Sequence, residues 1–405
     1  MRQAILSEGR VIRVPDLKDK NGASWNSPLQ EGAIFGKLAL ELFALQFKSN
    51  AAYQKICKAR LPRRSGAKAG KLTPEVVEHW TRIPAVPTAA FKELELTCLG
   101  PDERTTVFHS SGTTEQRPSR HFHNTESLMV YEVSLWSWFE AHVFAEGRDA
   151  RPRAAEMGGG SSAGRAGGSS LPILILTPAR ATMPHSSLVH MFDVVRRKLG
   201  GPESVFVGEL AADGAWTLDF DAIVQKLKAA CDKATPVTLL GTAFSFVHLL
   251  DFLGERNLPF RLPLGSRVME TGGYKNRSRA MPKSELHALI TKQLGIPQSH
   301  IVCEYGMSEL SSQAYDRKVG SQKSEVRRFQ FPPWSRVQVI SPETNREVGD
   351  GETGLIRVFD LANVFSVMAI QTEDLGVRHG DGFELLGRAQ FAEPRGCSLM
   401  SIESK

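Results

Sequence analysis

Three short segments of this sequence carry residue types suited to chemistry. The first reads Val107-Phe108-His109-Ser110-Ser111-Gly112-Thr113-Thr114. It begins strand-like and ends in a hydroxyl-rich turn. A polyphosphate needs convergent donors and a backbone free of bulky side chains. Ser110, Ser111, Thr113 and Thr114 supply hydroxyls, and Gly112 permits close approach. Arg117 and Arg120 follow within reach as charge partners for phosphate oxygens. The same residues also suit a plain Ser/Thr turn before a helix. Neither a P-loop of the form GxxxxGK followed by Ser or Thr nor a GxGxxG fingerprint occurs, so a nucleotide site here belongs to another class.

The second segment pairs Glu270-Thr271-Gly272-Gly273-Tyr274-Lys275 with Cys303-Glu304-Tyr305-Gly306-Met307-Ser308-Glu309, each following a strand-like run. Ligands of open α/β sheets bind beyond the carboxyl ends of strands. There Tyr305 offers a flat face for a base, Ser308 a phosphate donor and Glu309 a hard oxygen ligand for Mg²⁺. The alternative is a core aromatic and a helix-start carboxylate. The third segment is Thr372-Glu373-Asp374-Leu375-Gly376 followed by Asp381 to Arg388. An Asp just after a strand accepts from both ribose hydroxyls, and Arg388 would neutralise phosphate, although DLG and DGF also read as hairpin turns.

Other residues have plainer readings. His121 and His123 alternate on a strand and show one face; a metal site would need a third ligand, so a strand surface is expected. His185 and His190 flank a helix start that Ser186 or Ser187 would cap. The turn Gly241 to Phe246, at a strand's carboxyl end, either lines a ligand pocket or is core. Cys303 is expected to be a small buried hydrophobe.

These segments need a scaffold. Residues 30–60 read as helical, and Leu171 to Leu176 as a strand buried on both faces. A helix over 221–231, strands at 236–240, 264–270 and 301–304, and a helix over 284–294 closed by Gly295 complete a βα alternation. That pattern predicts an α/β fold with a parallel sheet flanked by helices. After Pro332 the texture turns to strands and Gly turns, which predicts a β-rich, barrel-like subdomain. Residues 154–170 are a Gly/Ser-rich low-complexity loop.

The 405 residues are 41% hydrophobic and 23% charged, ordinary for a globular chain. Fifty basic and 44 acidic residues give a net charge of +6. The densest basic run, Lys58 to Lys71, reads as a solvated loop, and no basic face interleaved with aromatics suggests nucleic acid. No run of 18 apolar residues predicts a membrane span, and the first residues lack a secretory signal. Cys57, Cys98, Cys231, Cys303 and Cys397 form no CxxC pair, which predicts a reducing cytoplasm.

Taken in order, SSGTT, the Gly pair, EYGMSE, GETG, TEDLG and DGFELLGR resemble the motif set of adenylate-forming enzymes from about Ser110 to Arg388. Within that superfamily the chain looks like the acyl-protein synthetases of the LuxE type, on FHSSGTT followed by SRH, on PHSSLVHM at Pro184 to Met191, and on the ending Arg395-Gly396-Cys397-Ser398-Leu399. The resemblance implies ATP and Mg²⁺ as cofactors, a fatty acid as substrate, and an acyl-adenylate that passes its acyl group to a cysteine near the C-terminus and then to an acyl-accepting or acyl-reducing protein. It implies that Ser110 to Thr114 hold the phosphates and that Gly272, Gly273, Tyr305 and Gly306 enclose the adenine and acyl-adenylate. Ser308 and Glu309 would serve phosphate and Mg²⁺, Asp374 the ribose, and Arg388 ribose or phosphate.

The expected layout is an adenylation domain over 1–388 and a tail over 389–405 carrying Cys397. The mobile C-terminal lysine domain of larger relatives is expected to be absent. Glu115 stands where a second glycine is usual, which leaves the basic role of the loop to Arg117 or Arg120. Cys397, between Gly396 and Ser398 and close to Arg395, reads as the acyl acceptor under this resemblance, and without it as a free cysteine on a tail. Delivery to CoA, a carrier protein or an amine is the alternative reaction. A non-catalytic nucleotide- or acyl-binding scaffold is the alternative of another class.

Overall fold

The computed structural model describes residues 4–6, 10–12, 28–59, 72–110, 117–144, 171–210, 216–272, 281–319 and 326–389. Ser111 to Thr114, Gly273, the Gly/Ser loop, most of the basic run and the tail with Cys397 lie outside the described residues.

The helix expected over 30–60 is two, Pro28–Ser49 and Ala51–Ala59. Asn50 makes the break, because its side chain accepts from the Tyr53 amide at 2.9 Å and caps the second helix. The strand expected at 264–270 begins later, at Arg267, and runs to Thr271. Gly265 takes φ +91° and Leu264 is 92% exposed, so this stretch is a turn. Asp219 caps the helix Phe220–Asp232 through the Ala222 amide. Gly295 ends the helix Lys283–Leu294 in a left-handed conformation.

Among the described residues, twelve strands share one sheet. Its path begins with Ser335–Ile340, Thr353–Asp360, Ala369–His379, Gly382–Arg388, Val326–Gln330 and Ala314–Val319. It continues through Ile301–Tyr305, Arg267–Thr271, Thr238–Thr242, Ile173–Ile175 and Val205–Phe206. Val86–Pro87 adds to Ala369–His379 in parallel. From Ile301 to Phe206 the neighbours are parallel, and from Ile301 to Ile340 they are antiparallel. The β-rich part expected after Pro332 is present. It continues the edge of the parallel part, and among the described residues its strands do not close into a barrel.

Period-2 alternation divides the parallel strands between two cores. Leu174, Leu176, Leu239 and Val268 pack against the helices Phe220–Asp232, Ala243–Glu255 and Lys283–Leu294. Ile173, Ile175, Leu240 and Met269 face the helices Thr125–Val143 and Ser187–Leu199. A third core sets Phe35, Ala39, Leu42 and Phe43 of the first helix against Ile356, Val358, Met368 and Ile370. No helix among the described residues is long and apolar enough to cross a membrane.

Candidate active site

The phosphate-loop segment sits on a hairpin. Thr106–His109 pairs antiparallel with Arg120–His123, with His109 opposite Arg120. At its mouth the Ser110 amide donates to the Ser119 carbonyl at 3.2 Å, and the Ser119 amide donates to Ser110 Oγ at 2.9 Å. Ser111 to Thr114 lie outside the described residues, and the next described element is the strand Arg120–His123 rather than a helix. Arg120 bonds Glu95 at 3.1 Å, and Arg117 lies 3.9 Å from Glu93.

This hairpin leans on the turn that follows the strand Ile301–Tyr305. Ser119 Oγ lies 3.4 Å from Ser308 Oγ, and Ser308 Oγ donates to Glu309 Oε2 at 3.0 Å. His121 Nδ1 is 2.8 Å from the Ser308 carbonyl, which can only accept, so Nδ1 carries the proton. Burial pushes the His121 pKa down to about 4 and that of His123 well below the usual imidazole value, so both are neutral at pH 7. The two share a face, as expected. That face is buried, which corrects the reading of a strand surface. Among the described residues no group of three or more His, Cys, Asp or Glu side chains stands close enough to hold a metal by itself.

The same strand reaches the third segment. The Tyr305 hydroxyl donates to Asp374 Oδ2 at 2.8 Å. The ring is 7% exposed and packs edge-on against Phe329, Phe331 and Phe383. Asp374 and Arg388 are cross-strand partners, with Nε 3.8 Å from Oδ1, and Arg388 also bonds Glu373. Asp374 lies inside the strand Ala369–His379, so DLG is not a turn and Asp374 does not follow a strand. The reversal comes at Gly380 and Asp381, before Gly382 begins the next strand.

Gly272, directly after Arg267–Thr271, has φ +78° and open space where a Cβ would be. A Cβ on Gly306 would collide with the Glu304 carboxylate, which Thr271 Oγ1 holds by a hydrogen bond. The structure thus brings Ser110, Ser308 and Glu309 together through the hairpin base, and Tyr305, Asp374 and Arg388 together at the sheet. Residues 305–309 join the two groups.

A buried ionic cluster behind this site was not foreseen. Glu270 Oε1 accepts from Lys283 Nζ at 3.4 Å and from His287 Nε2 at 3.2 Å, and Arg327 donates to His287 Nδ1 at 2.9 Å and to Asp316. Cys303 donates its amide to Asp316 at 2.7 Å, and its thiol touches the Lys283 ammonium. Cys303 is buried as expected, but beside charges rather than in an apolar niche. Burial and the Glu270 charge push its pKa well up. Burial alone would raise Glu270; Lys283 and His287 outweigh it and hold Glu270 at about 2. Burial pushes Glu304 up to about 7 against its bond from Thr271. The available signal was the pair Glu270 and Lys283, which bracket the Gly-Gly loop in sequence.

The remaining expectations resolve locally. Ser186 caps the helix Ser187–Leu199 through the Val189 amide. His190 is buried, with Nε2 3.1 Å from Glu132. Thr242 caps the helix Ala243–Glu255, and Phe244 and Phe246 are core.

Comparison with known proteins decides the kinship. The family profile described as "Acyl-protein synthetase, LuxE" matches residues 203–404. The C-terminal half of this chain belongs to the LuxE acyl-protein synthetase family. Two curated LuxE-type relatives are each named "Long-chain-fatty-acid--luciferin-component ligase". The one from Aliivibrio fischeri is 24% identical over 194 residues, covering 45% of this chain and 49% of the relative. The one from Vibrio harveyi is 20% identical over 191 residues, with the same two coverages. The chain thus spans about half the length of the curated relatives it matches. Among solved structures, 2-hydroxyisobutyryl-CoA ligase with 2-HIB-AMP and CoA in an open conformation aligns over 90% of this chain and 71% of its own, with a TM-score of 0.60 and 11% identity. Its postadenylation state with 2-HIB-AMP gives a TM-score of 0.59, also at 11% identity, over 90% of this chain and 69% of its own. This chain shares their mixed α/β fold.

Proposed function

We propose that this chain activates a fatty acid with ATP and passes the acyl group to a protein thiol. A carboxylate oxygen attacks the α-phosphorus and pyrophosphate leaves. A thiolate then attacks the acyl carbonyl of the adenylate and AMP leaves. The observation that carries this reading is the convergence of Ser110, Ser308 and Glu309 with Tyr305 and Asp374 around one strand end. The LuxE kinship of residues 203–404 and the names of the two relatives support the choice of fatty acid and protein acceptor.

In this reading Ser110 to Thr114 hold the phosphates, with Arg117 or Arg120 as the charge partner. Gly272, Gly273, Tyr305 and Gly306 enclose the adenylate, Asp374 holds the ribose, and Arg388 meets ribose or phosphate. Glu309, beside a hydroxyl and at the base of a phosphate loop, has the hard-oxygen chemistry that Mg²⁺ takes when one carboxylate and substrate phosphates share it. Mg²⁺ bound there would supply neutralisation of phosphate charge. Residues 1–388 form the activating part and 389–405 the tail with Cys397, the proposed acyl acceptor.

Fatty-acid-dependent exchange of labelled pyrophosphate into ATP tests the first half; its absence removes the activation step. Mass spectrometry after incubation with ATP, Mg²⁺ and a fatty acid tests the second, with an acylated Cys397 peptide expected. A Cys397→Ser protein that still forms a hydroxylamine-labile adduct sinks the assignment of Cys397. Acylated CoA or amine without a protein adduct would instead favour free ligase chemistry.

A further inference from the structure

The turn carrying Glu309 is gripped from the antiparallel side of the sheet by residues that touch no ligand in the proposed site. Asp360, at the end of the strand Thr353–Asp360, is fully buried. Its Oδ2 accepts from the Ser311 amide at 3.0 Å and the Ser312 amide at 2.8 Å. Its Oδ1 accepts from Ser312 Oγ at 2.7 Å, Ser335 Oγ at 3.0 Å and the Ala362 amide at 3.0 Å. Asn363, also buried, donates through Nδ2 to the Glu309 carbonyl at 2.9 Å and the Val367 carbonyl at 3.0 Å. Its own carbonyl accepts from Gln46 Nε2 at 2.7 Å.

We propose that Asp360 and Asn363 are positioning residues that fix Glu309 against the phosphate hairpin and set its distance from Asp374. The inference rests on the proposed role of Glu309 toward Mg²⁺. Asp360 fits the task because five donors converge on it, and three come from the two residues that follow Leu310. Its strand pairs with the one that carries Asp374, with Phe359 opposite Ala369 and Val358 opposite Ile370. One rigid edge therefore sets both ends of the nucleotide. His121 holds the same turn from the hairpin side, through the Ser308 carbonyl.

The test uses Asp360→Asn and Asn363→Ala in the full chain. Leu227→Ala, in the core on the far face of the sheet, is the control for general destabilisation. Two quantities are read: the Mg²⁺ concentration that half-saturates pyrophosphate exchange, and the calorimetric affinity for ATP with and without Mg²⁺ in the absence of fatty acid. Loss of a partner that orients a ligating carboxylate is expected to raise the Mg²⁺ requirement about ten- to a hundredfold. Excess Mg²⁺ should restore the rate, and Leu227→Ala should leave the requirement unchanged. If Asp360→Asn does not fold, Ser335→Ala replaces it, since that change removes one bond to Asp360 and leaves the carboxylate and its bonds to the turn in place. An unchanged Mg²⁺ requirement in the folded variants overturns the proposal. If wild type shows no exchange but Mg²⁺-dependent ATP binding, the proposed activity fails while the calorimetric arm still decides the positioning role. Wild type without Mg²⁺-dependent ATP binding overturns both.

Discussion

Tyr305→Phe separates the hydroxyl of this residue from its ring. The ring stands edge-on to Phe383, Phe329 and Phe331 at centroid distances of 5.3, 6.1 and 6.2 Å, and Phe keeps those contacts. What is lost is one 2.8 Å hydrogen bond to Asp374. A hydrogen bond to a charged group contributes about 1.5–3 kcal/mol. The Asp374 side chain is 22% exposed and lies near Arg388, which places this one at the lower end. A loss of about 1.4 kcal/mol is about tenfold in affinity. In the exchange assay the KM for ATP should rise up to about tenfold while the KM for fatty acid holds, and the urea midpoint should fall by what that one bond contributes to the fold, about 1.5 kcal/mol. Tyr305→Ala should instead destabilise the fold by about 3–5 kcal/mol, as a lost core aromatic does. If Tyr305→Phe leaves the KM for ATP unchanged while Asp374→Asn raises it, the hydroxyl does not orient Asp374 and the reasoning is wrong.

Glu304 tests the buried carboxyl behind the site. Its folded pKa of about 7 lies above its ordinary 4.5, so its contribution is fully present below pH 4.5 and is lost as pH rises through 7. Glu304→Gln should gain stability over wild type between pH 5 and 8, by up to about 3 kcal/mol. Urea midpoints that run parallel across that range refute it. Lys283→Met leaves Glu270 buried with His287 and should cost about 3–5 kcal/mol at neutral pH. The loss should shrink in acid as Glu270 takes up a proton, which denaturant titration at two pH values checks. Cys397→Ser should abolish the thioester adduct while leaving pyrophosphate exchange intact, since the exchange precedes transfer.

The parallel half was legible because its strands are short apolar runs bounded by Gly and Pro, and its helices carry caps such as Asp219 and Gly295. Asp374 was expected just after a strand, with a turn as the alternative, because Asp-Leu-Gly reads as turn chemistry; strand pairing with Arg388 puts it inside the strand. The histidines at 121 and 123 carried the right periodicity without revealing which face is buried. That depends on Ser308, nearly two hundred residues away. The ionic cluster of Glu270, Lys283, His287, Asp316 and Arg327 was hidden for the same reason. Charged side chains are expected at a surface unless partners are known, and these partners come from separate segments.

The profile match starts at residue 203, but the folding unit does not. Leu240, Met269 and Tyr315 are covered by Tyr131, Phe139 and Phe192 from upstream, and Ile356, Val358 and Ile370 by the helix Pro28–Ser49. A fragment cut at the border of kinship would turn two greasy sheet faces toward water and would lack the hairpin that meets Ser308. Recognisable ancestry and physical autonomy have different boundaries in this molecule.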